Sequence, residues 1–391
     1  MVAAHLILDG AFAARILLAR LDAIPDMRLK TGESLGLSAW TRYTAIDWPA
    51  IRGTLPGLAA IIFLLAFTSF PIVLLLGGGP AVQTLEVAIY SAVRLDFDLN
   101  AAVMLALVQI AICAAIILAS AAFAPLSTSL DRPPEPRWRD GPNAQLLQGL
   151  VLVLALAGFA APLLAVLVDG IDGLGSVLQQ QTFWNGVVTS LWIGACSAVL
   201  ALVLALLVAS ARAAAASRTV RTIIAAPAYA YLAVPAVALS LGAFLLVRDA
   251  GIAPESAAPL VVVVANALLS LPFAMATLAP PFEAVARSRG RLIRSLGLSG
   301  WRQFRDVEWP LLAREFGLVL ALGFCFSLGD LGVIALFGTQ NFATLPLLMV
   351  RALGAYRSHD AAAIAALMLV LTIAAFVLLP KLFERLSRAR A

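Results

Sequence analysis

The sequence predicts an all-α, polytopic membrane protein of about nine transmembrane helices built from two parallel repeats. Three observations predict it. Of 391 residues, 62% are hydrophobic and 13% are charged, against about 25% charged in an ordinary globular chain. Apolar segments recur along the chain at close to the roughly 20 residues that a helix needs to cross a bilayer. Finally, the words LGLSAWTRYTAIDWP at residues 35–49 return as LGLSGWRQFRDVEWP at 296–310, with seven of fifteen positions identical at an offset of 261.

Taken in order, the first apolar segment, 2–19, carries Asp9 and Arg15 and follows no basic residue, so it does not read as a signal peptide. The first copy of the repeated words follows, and then a segment at 54–76 that Gly77, Gly78, Gly79 and Pro80 close in a turn. The next segment is 101–124. SLDRPPEPRWRDGPN, residues 129–143, is rich in proline and charge and reads as a cytoplasmic linker. The expected domains are therefore a first lobe at 1–124, a linker at 125–145 and a second lobe at 146–391. The second lobe supplies segments at 146–168, 186–210, 222–247, 258–280, 316–338 and 361–383. Moving Leu146 back by the repeat offset lands 115 residues before the numbering begins (146 − 261), so the first lobe is expected to lack three N-terminal helices.

The charge fits this topology. Of 27 Lys and Arg, 23 lie in alternate loops: six in 15–52, three in 132–139, three in 212–221, seven in 287–314 and four in 381–390. The others are Arg94, Arg248, Arg351 and Arg357. Basic loops stay cytoplasmic because translocating them is costly, which places both repeated stretches and the C-terminus inside. Six apolar segments separate the copies. An even number keeps both repeats in one orientation, unlike the inverted repeats of many secondary transporters. The net charge of +5 thus points to the lipid bilayer and implies no nucleic acid. Cys113, Cys196 and Cys325 sit in apolar segments, and His5 and His359 are far apart, so no disulfide framework, metal site or catalytic triad is expected.

Within the second copy, Leu298, Trp301 and Phe304 recur at helical spacing, and Pro310 limits how this short amphipathic helix enters the next segment. Two such helices on one membrane face offer a pair of docking knobs; the plainer reading is an interfacial helix anchored by Trp301 and Trp309. Here the chain resembles the permeases of importers powered by ATP-binding-cassette subunits, the MetI-like class, whose cytoplasmic motif has the form E-A-A, three residues, Gly, nine residues, Ile, one residue, Leu-Pro. Gly297, Val307, Trp309 and Pro310 fall at its Gly, Ile, Leu and Pro positions, as do Gly36, Ile46, Trp48 and Pro49. Arg291 and Lys30 stand where the motif has Glu, and Trp replaces Leu in both copies. The resemblance implies coupling helices, carried by Gly36, Trp40, Pro49, Gly297, Trp301, Phe304 and Pro310, that dock on two copies of an ATPase subunit. The only lysines are Lys30 and Lys381, and Lys30-Thr31 follows Leu29 where a phosphate loop needs Gly. ATP hydrolysis is therefore expected from another chain, and this one is expected to be neither an enzyme nor a cofactor protein.

The loop LLLGGGPAVQTLEVAIYSAVRLDFDLNAA, residues 74–102, closely resembles that of fused thiamine permeases, and SLGDLGVIALFG, 327–338, is similar to their second-lobe helix. This implies an inner-membrane importer of thiamine or a phosphorylated form, served by a periplasmic binding protein. Glu86, Asp96 and Asp98 are expected to present negative charge on the outer face, for a cationic cargo or for the binding protein, or simply as a solvated loop. Asp330, in an apolar segment, either lines an aqueous path or bonds a neighbouring helix; Asp9 is a weaker case of the same kind. A ferric-iron permease and a proton-coupled carrier with parallel repeats are the alternatives, whereas an intramembrane enzyme finds no catalytic constellation.

Overall fold

The computed structural model describes residues 1–77, 83–120 and 141–388. Most of the expected linker and the turn residues Gly78, Gly79 and Pro80 lie outside the described residues. Every regular element among the described residues is helical. In chain order they are α1 (Val2–Asp22), α2 (Asp26–Ser34), α3 (Ala39–Ile51), α4 (Leu55–Phe67) and α5 (Phe70–Leu76). Next come α6 (Leu85–Arg94), α7 (Leu99–Ser120), α8 (Pro142–Val177), α9 (Gln181–Ala214), α10 (Arg218–Ala230) and α11 (Ala236–Asp249). The last are α12 (Pro254–Ser295), α13 (Gly300–Gly329), α14 (Gly332–Phe337), α15 (Leu345–Gly354) and α16 (Ser358–Arg388). Seven described helices are long and apolar enough to span a membrane, and nine if two bent pairs each count as one span.

Three segments that read as continuous in the sequence are broken. Residues 54–76 divide at Thr68 and Ser69 into α4 and α5, with Pro71 in the first turn of α5. Residues 222–247 bend by 100° between Ala233 and Ala236. Val234 is extended at φ −101° and ψ 110°, as a residue before proline prefers, and Pro235 opens α11. Residues 316–338 stop at Gly329 and restart at Gly332 as the six-residue α14. Each break is only two to four residues long, Thr68-Ser69, Val234-Pro235 and Gly329–Gly332, between apolar flanks, so each segment still reads as one span when hydrophobicity is averaged over its length.

The described chain separates into two units. One comprises Met1–Thr84 and Leu107–Ala165. In it α1 packs on α4 and on the end of α3, and Ile16, Ala19, Leu58, Leu64, Phe70 and Val73 are buried. Its part of α8 keeps Leu146, Leu150, Val153 and Leu156 exposed. A helix this apolar whose side chains are exposed among the described residues suits lipid.

The other unit comprises Leu85–Ala106 and Val166–Ala391. Its centre is four long helices, α9, α12, α13 and α16, with α15 on α16 and α14 against α11 and α12. Small residues let the backbones approach, because lipid supplies no hydrophobic drive between helices. A Cβ on Gly323 would stand 2.9 Å from Ala198 Cα, and one on Gly317 2.6 Å from Leu379 O. Leu278, Phe282, Leu312 and Phe316 fill the core near the second copy of the repeated words. The amphipathic α6, from the first repeat, belongs to this unit and packs on α11 and α14.

Candidate functional site

Each copy of the repeated words begins where a helix is stopped by a left-handed glycine. Gly36 and Gly297 both have φ +62°. After α2, Gly36 N donates to Glu33 O at 3.0 Å and Leu37 N to Gly32 O at 3.2 Å. After α12, Gly297 N donates to Arg294 O at 3.1 Å and Leu298 N to Ile293 O at 3.0 Å. These are the paired 5→2 and 6→1 bonds that satisfy the last carbonyls of a helix when one residue turns left-handed. Glycine adopts that turn without the strain a Cβ brings. The new helix then starts. In the first copy Ser38 Oγ accepts from Thr41 N at 3.2 Å; in the second, Ser299 makes no such bond, and Gly300 takes φ +55° where the first copy has Ala39.

Both copies then open into a π turn, Tyr43–Asp47 and Phe304–Glu308. Trp48 N donates to Tyr43 O, and Trp309 N to Phe304 O. The next residue is Pro49 or Pro310, which has no N–H for the carbonyl four residues back, so the α ladder is interrupted at that point in any case. Side chains bridge each turn at a spacing of five: Arg42 Nε lies 3.3 Å from Asp47 Oδ2, and Gln303 Nε2 donates to Glu308 Oε1 at 2.7 Å.

Aromatic rings join the stretch to the core. Trp301, 71% exposed, stacks at 5.3 Å on Phe304, which stacks at 5.9 Å on buried Phe316 of α13. Trp309 lies 5.8 Å from Phe316 and 5.6 Å from Phe383 of α16. The first copy repeats the outer part, with Trp40, 73% exposed, 5.7 Å from Tyr43 and Tyr43 6.1 Å from Trp48. Trp301 is thus an exposed handle on a rigid aromatic stem, and the sequence-predicted Phe304 is part of the stem rather than of the exposed surface. Pro49 and Pro310 are exposed at the second position of the helical turn that follows each π turn.

The acidic candidates divide. Glu86 presents no charge at the surface; with Ile89 and Ala92 it forms the buried face of α6, so the expectation of an outward Glu86 is corrected. Asp96 and Asp98 are exposed in the turn between α6 and α7. Asp98 Oδ1 accepts from Ala101 N at 2.9 Å and caps α7. Beside it is an open cleft of about 590 Å³ lined by Phe97, Asp98, Asn100, Leu245 and Arg248.

Asp330 occupies the break between α13 and α14. Its Oδ1 accepts from Val333 N at 3.2 Å and its Oδ2 from Ile334 N at 3.3 Å, so a negative group sits at the positive end of α14. Close to it in sequence, Ser327 Oγ accepts from Asn266 Nδ2 at 3.0 Å and donates to Ser197 Oγ at 3.3 Å, a polar tie between α13, α12 and α9.

Sequence reasoning missed Arg94. Its Nε donates to Ala335 O at 3.0 Å, and its Nη2 to Leu336 O at 2.9 Å and to Gly338 O at 3.0 Å. Arg94 therefore caps the C-terminal end of α14, 241–244 residues away. Arg351 of α15 donates to Thr339 O at 3.1 Å in the same bend. Burial and then the nearby Arg94 guanidinium hold the Arg351 pKa below its ordinary value. Arg248 pairs with Asp249 at 3.1 Å and Arg357 with Asp360 at 3.3 Å, so all four arginines outside the basic loops are engaged.

No protein-family model matches the chain. It is similar to the thiamine transport system permease protein ThiP of Brucella melitensis biotype 1, 36% identical over 95% of this chain and 69% of that protein. The ThiP of Salmonella typhimurium is 37% identical over 97% of this chain and 72% of its own length, and that of Escherichia coli K12 is 36% identical over the same shares. With this identity over at least 95% of its length, the chain belongs to the ThiP family of thiamine transport system permease proteins.

Proposed function

We propose that the chain is the membrane permease of an ATP-driven importer that moves thiamine, or a phosphorylated form of it, across the bacterial inner membrane. The observation that carries this is the 36–37% identity to thiamine transport permeases over at least 95% of the chain. These relatives do not favour the ferric-iron alternative. The doubled stretch with its paired left-handed glycines supports two coupling helices, one for each of two copies of a cytoplasmic ATPase subunit, with Trp40 and Trp301 as the inserted side chains and Gly36, Gly297, Pro49, Pro310 and Phe304 as the frame. The 261-residue offset supports two lobes, 1–124 and 146–391, joined by a linker at 125–145. Basic loops support a cytoplasmic C-terminus.

On the opposite face, exposed Asp96, and Asp98 at the cleft, suit docking of a periplasmic binding protein. Asp330, whose carboxylate accepts from Val333 N and Ile334 N at the start of α14, is the candidate acidic group of the path. ATP hydrolysis comes from the partner subunit, and alternating access follows when ATP and loaded binding protein favour the same outward-facing state. The test is uptake of labelled thiamine by permease-deficient cells given this chain with its ATPase and binding protein. Thiamine uptake supports the assignment, and restoration of iron uptake alone would hand it to the ferric reading.

A further inference from the structure

We propose that Gln303–Glu308 and Arg42–Asp47 are positioning pairs that hold the π turn at the root of each coupling helix. The inference rests on the coupling reading above. In an α-helix, five residues advance about 500°, leaving positions i and i+5 roughly 140° apart and facing different sides. A π turn, bonded from i to i+5, brings them together, and both copies show the contact, at 3.3 Å in one and 2.7 Å in the other.

Substitutions between the copies point the same way. Exposed neighbours change type freely: Thr41 answers to Arg302, Thr44 to Arg305 and Ala45 to Asp306. Positions 42 and 303 stay donors, and 47 and 308 stay acceptors, although one pair is cation with anion and the other amide with carboxylate. Glu308 is 8% exposed, where a carboxylate without a partner is costly, so the pair fixes which way the turn forms. The extra residue of a π turn rotates everything before it by about 100° relative to an unbroken α-helix. That rotation decides which face of the stretch, and so which direction of Trp301, is rigidly tied to α13. Without the pair the turn relaxes toward α register, and the handle no longer moves with the transmembrane helix.

The test uses the full chain assembled with its ATPase subunit and binding protein in liposomes, reading thiamine moved per ATP hydrolysed. Glu308→Ala is expected to lower this ratio at least fivefold, and the exchanged pair Gln303→Glu with Glu308→Gln to return it to within twofold of the parent. A parental ratio in Glu308→Ala overturns the proposal. So does an exchanged pair that stays low, because the requirement is then Glu308 itself; if Glu308→Ala does not assemble, the exchanged pair alone decides. Trp301→Asp separates the two readings: if it leaves the ratio unchanged the coupling reading falls, and if it lowers the ratio while Glu308→Ala does not, only the positioning pairs fall.

Discussion

Replacing Gly297 by valine perturbs one backbone angle and little else. The residue sits at φ +62°, and a Cβ built there meets nothing within 4 Å, so no clash contributes. The penalty is that of a left-handed L-residue, about 1–2 kcal/mol, made worse by β-branching. That shifts the balance between the correctly turned stretch and its alternatives by roughly 5- to 30-fold. Asparagine visits the left-handed region far more readily, so the expected order of coupled transport is Gly, then Asn, then Ala, then Val. The assay is thiamine uptake in proteoliposomes alongside ATP hydrolysis by the same preparations, with assembly checked by size-exclusion chromatography. Valine should leave the complex assembled but uncoupled. Full uptake in the valine variant, or asparagine ranking below valine, would refute the reasoning, the second outcome because it would mean that surface contact rather than backbone geometry decides. Gly36, at the same φ with the same open space, should show the same order.

Three further outcomes are expected. Trp301→Asp puts a charge on the exposed handle and should abolish transport while chromatography still shows an intact permease. Arg94→Ala removes three hydrogen bonds from a cationic donor to the end of α14; such bonds contribute about 1.5–3 kcal/mol each at most, so the melting midpoint in detergent should fall by several degrees, with Arg94→Lys in between. Asp330→Asn keeps an acceptor for the first turn of α14 but loses the charge at its positive end, about 0.3–1 kcal/mol; assembly should survive and uptake of cationic thiamine should fall, whereas unchanged uptake would leave Asp330 a purely structural role.

The spans and the repeat were legible because hydrophobic length and word identity are local properties of the sequence. The breaks were not, since Thr68-Ser69, Pro235 and Asp330 are interruptions of one or two residues that average out over a span of about 20, although Pro71, Pro235 and the Gly-Asp-Leu-Gly run at 329–332 were available as signals. The burial of Glu86 was readable in principle: it shares a three-residue spacing with Ile89 and Ala92, which is one face of a helix. Arg94 was invisible for a different reason, because its partners are main-chain carbonyls that carry no side-chain signature. The five-residue pairs carry no signal at the α period, because positions five apart face each other only in a π turn.

The bond from Arg94 to Ala335 also has a cost in time. The arginine leaves the ribosome 241 residues before the carbonyl it will cap, a delay of about 12–50 s at 5–20 residues per second. Through that interval α6 waits with its guanidinium unbonded to α14, and this contact cannot form until α14 has been made. Synthesis of this fused chain therefore includes a late long-range closure, and agents that slow elongation between α6 and α14 should lengthen the exposure of α6 rather than that of the helices made last.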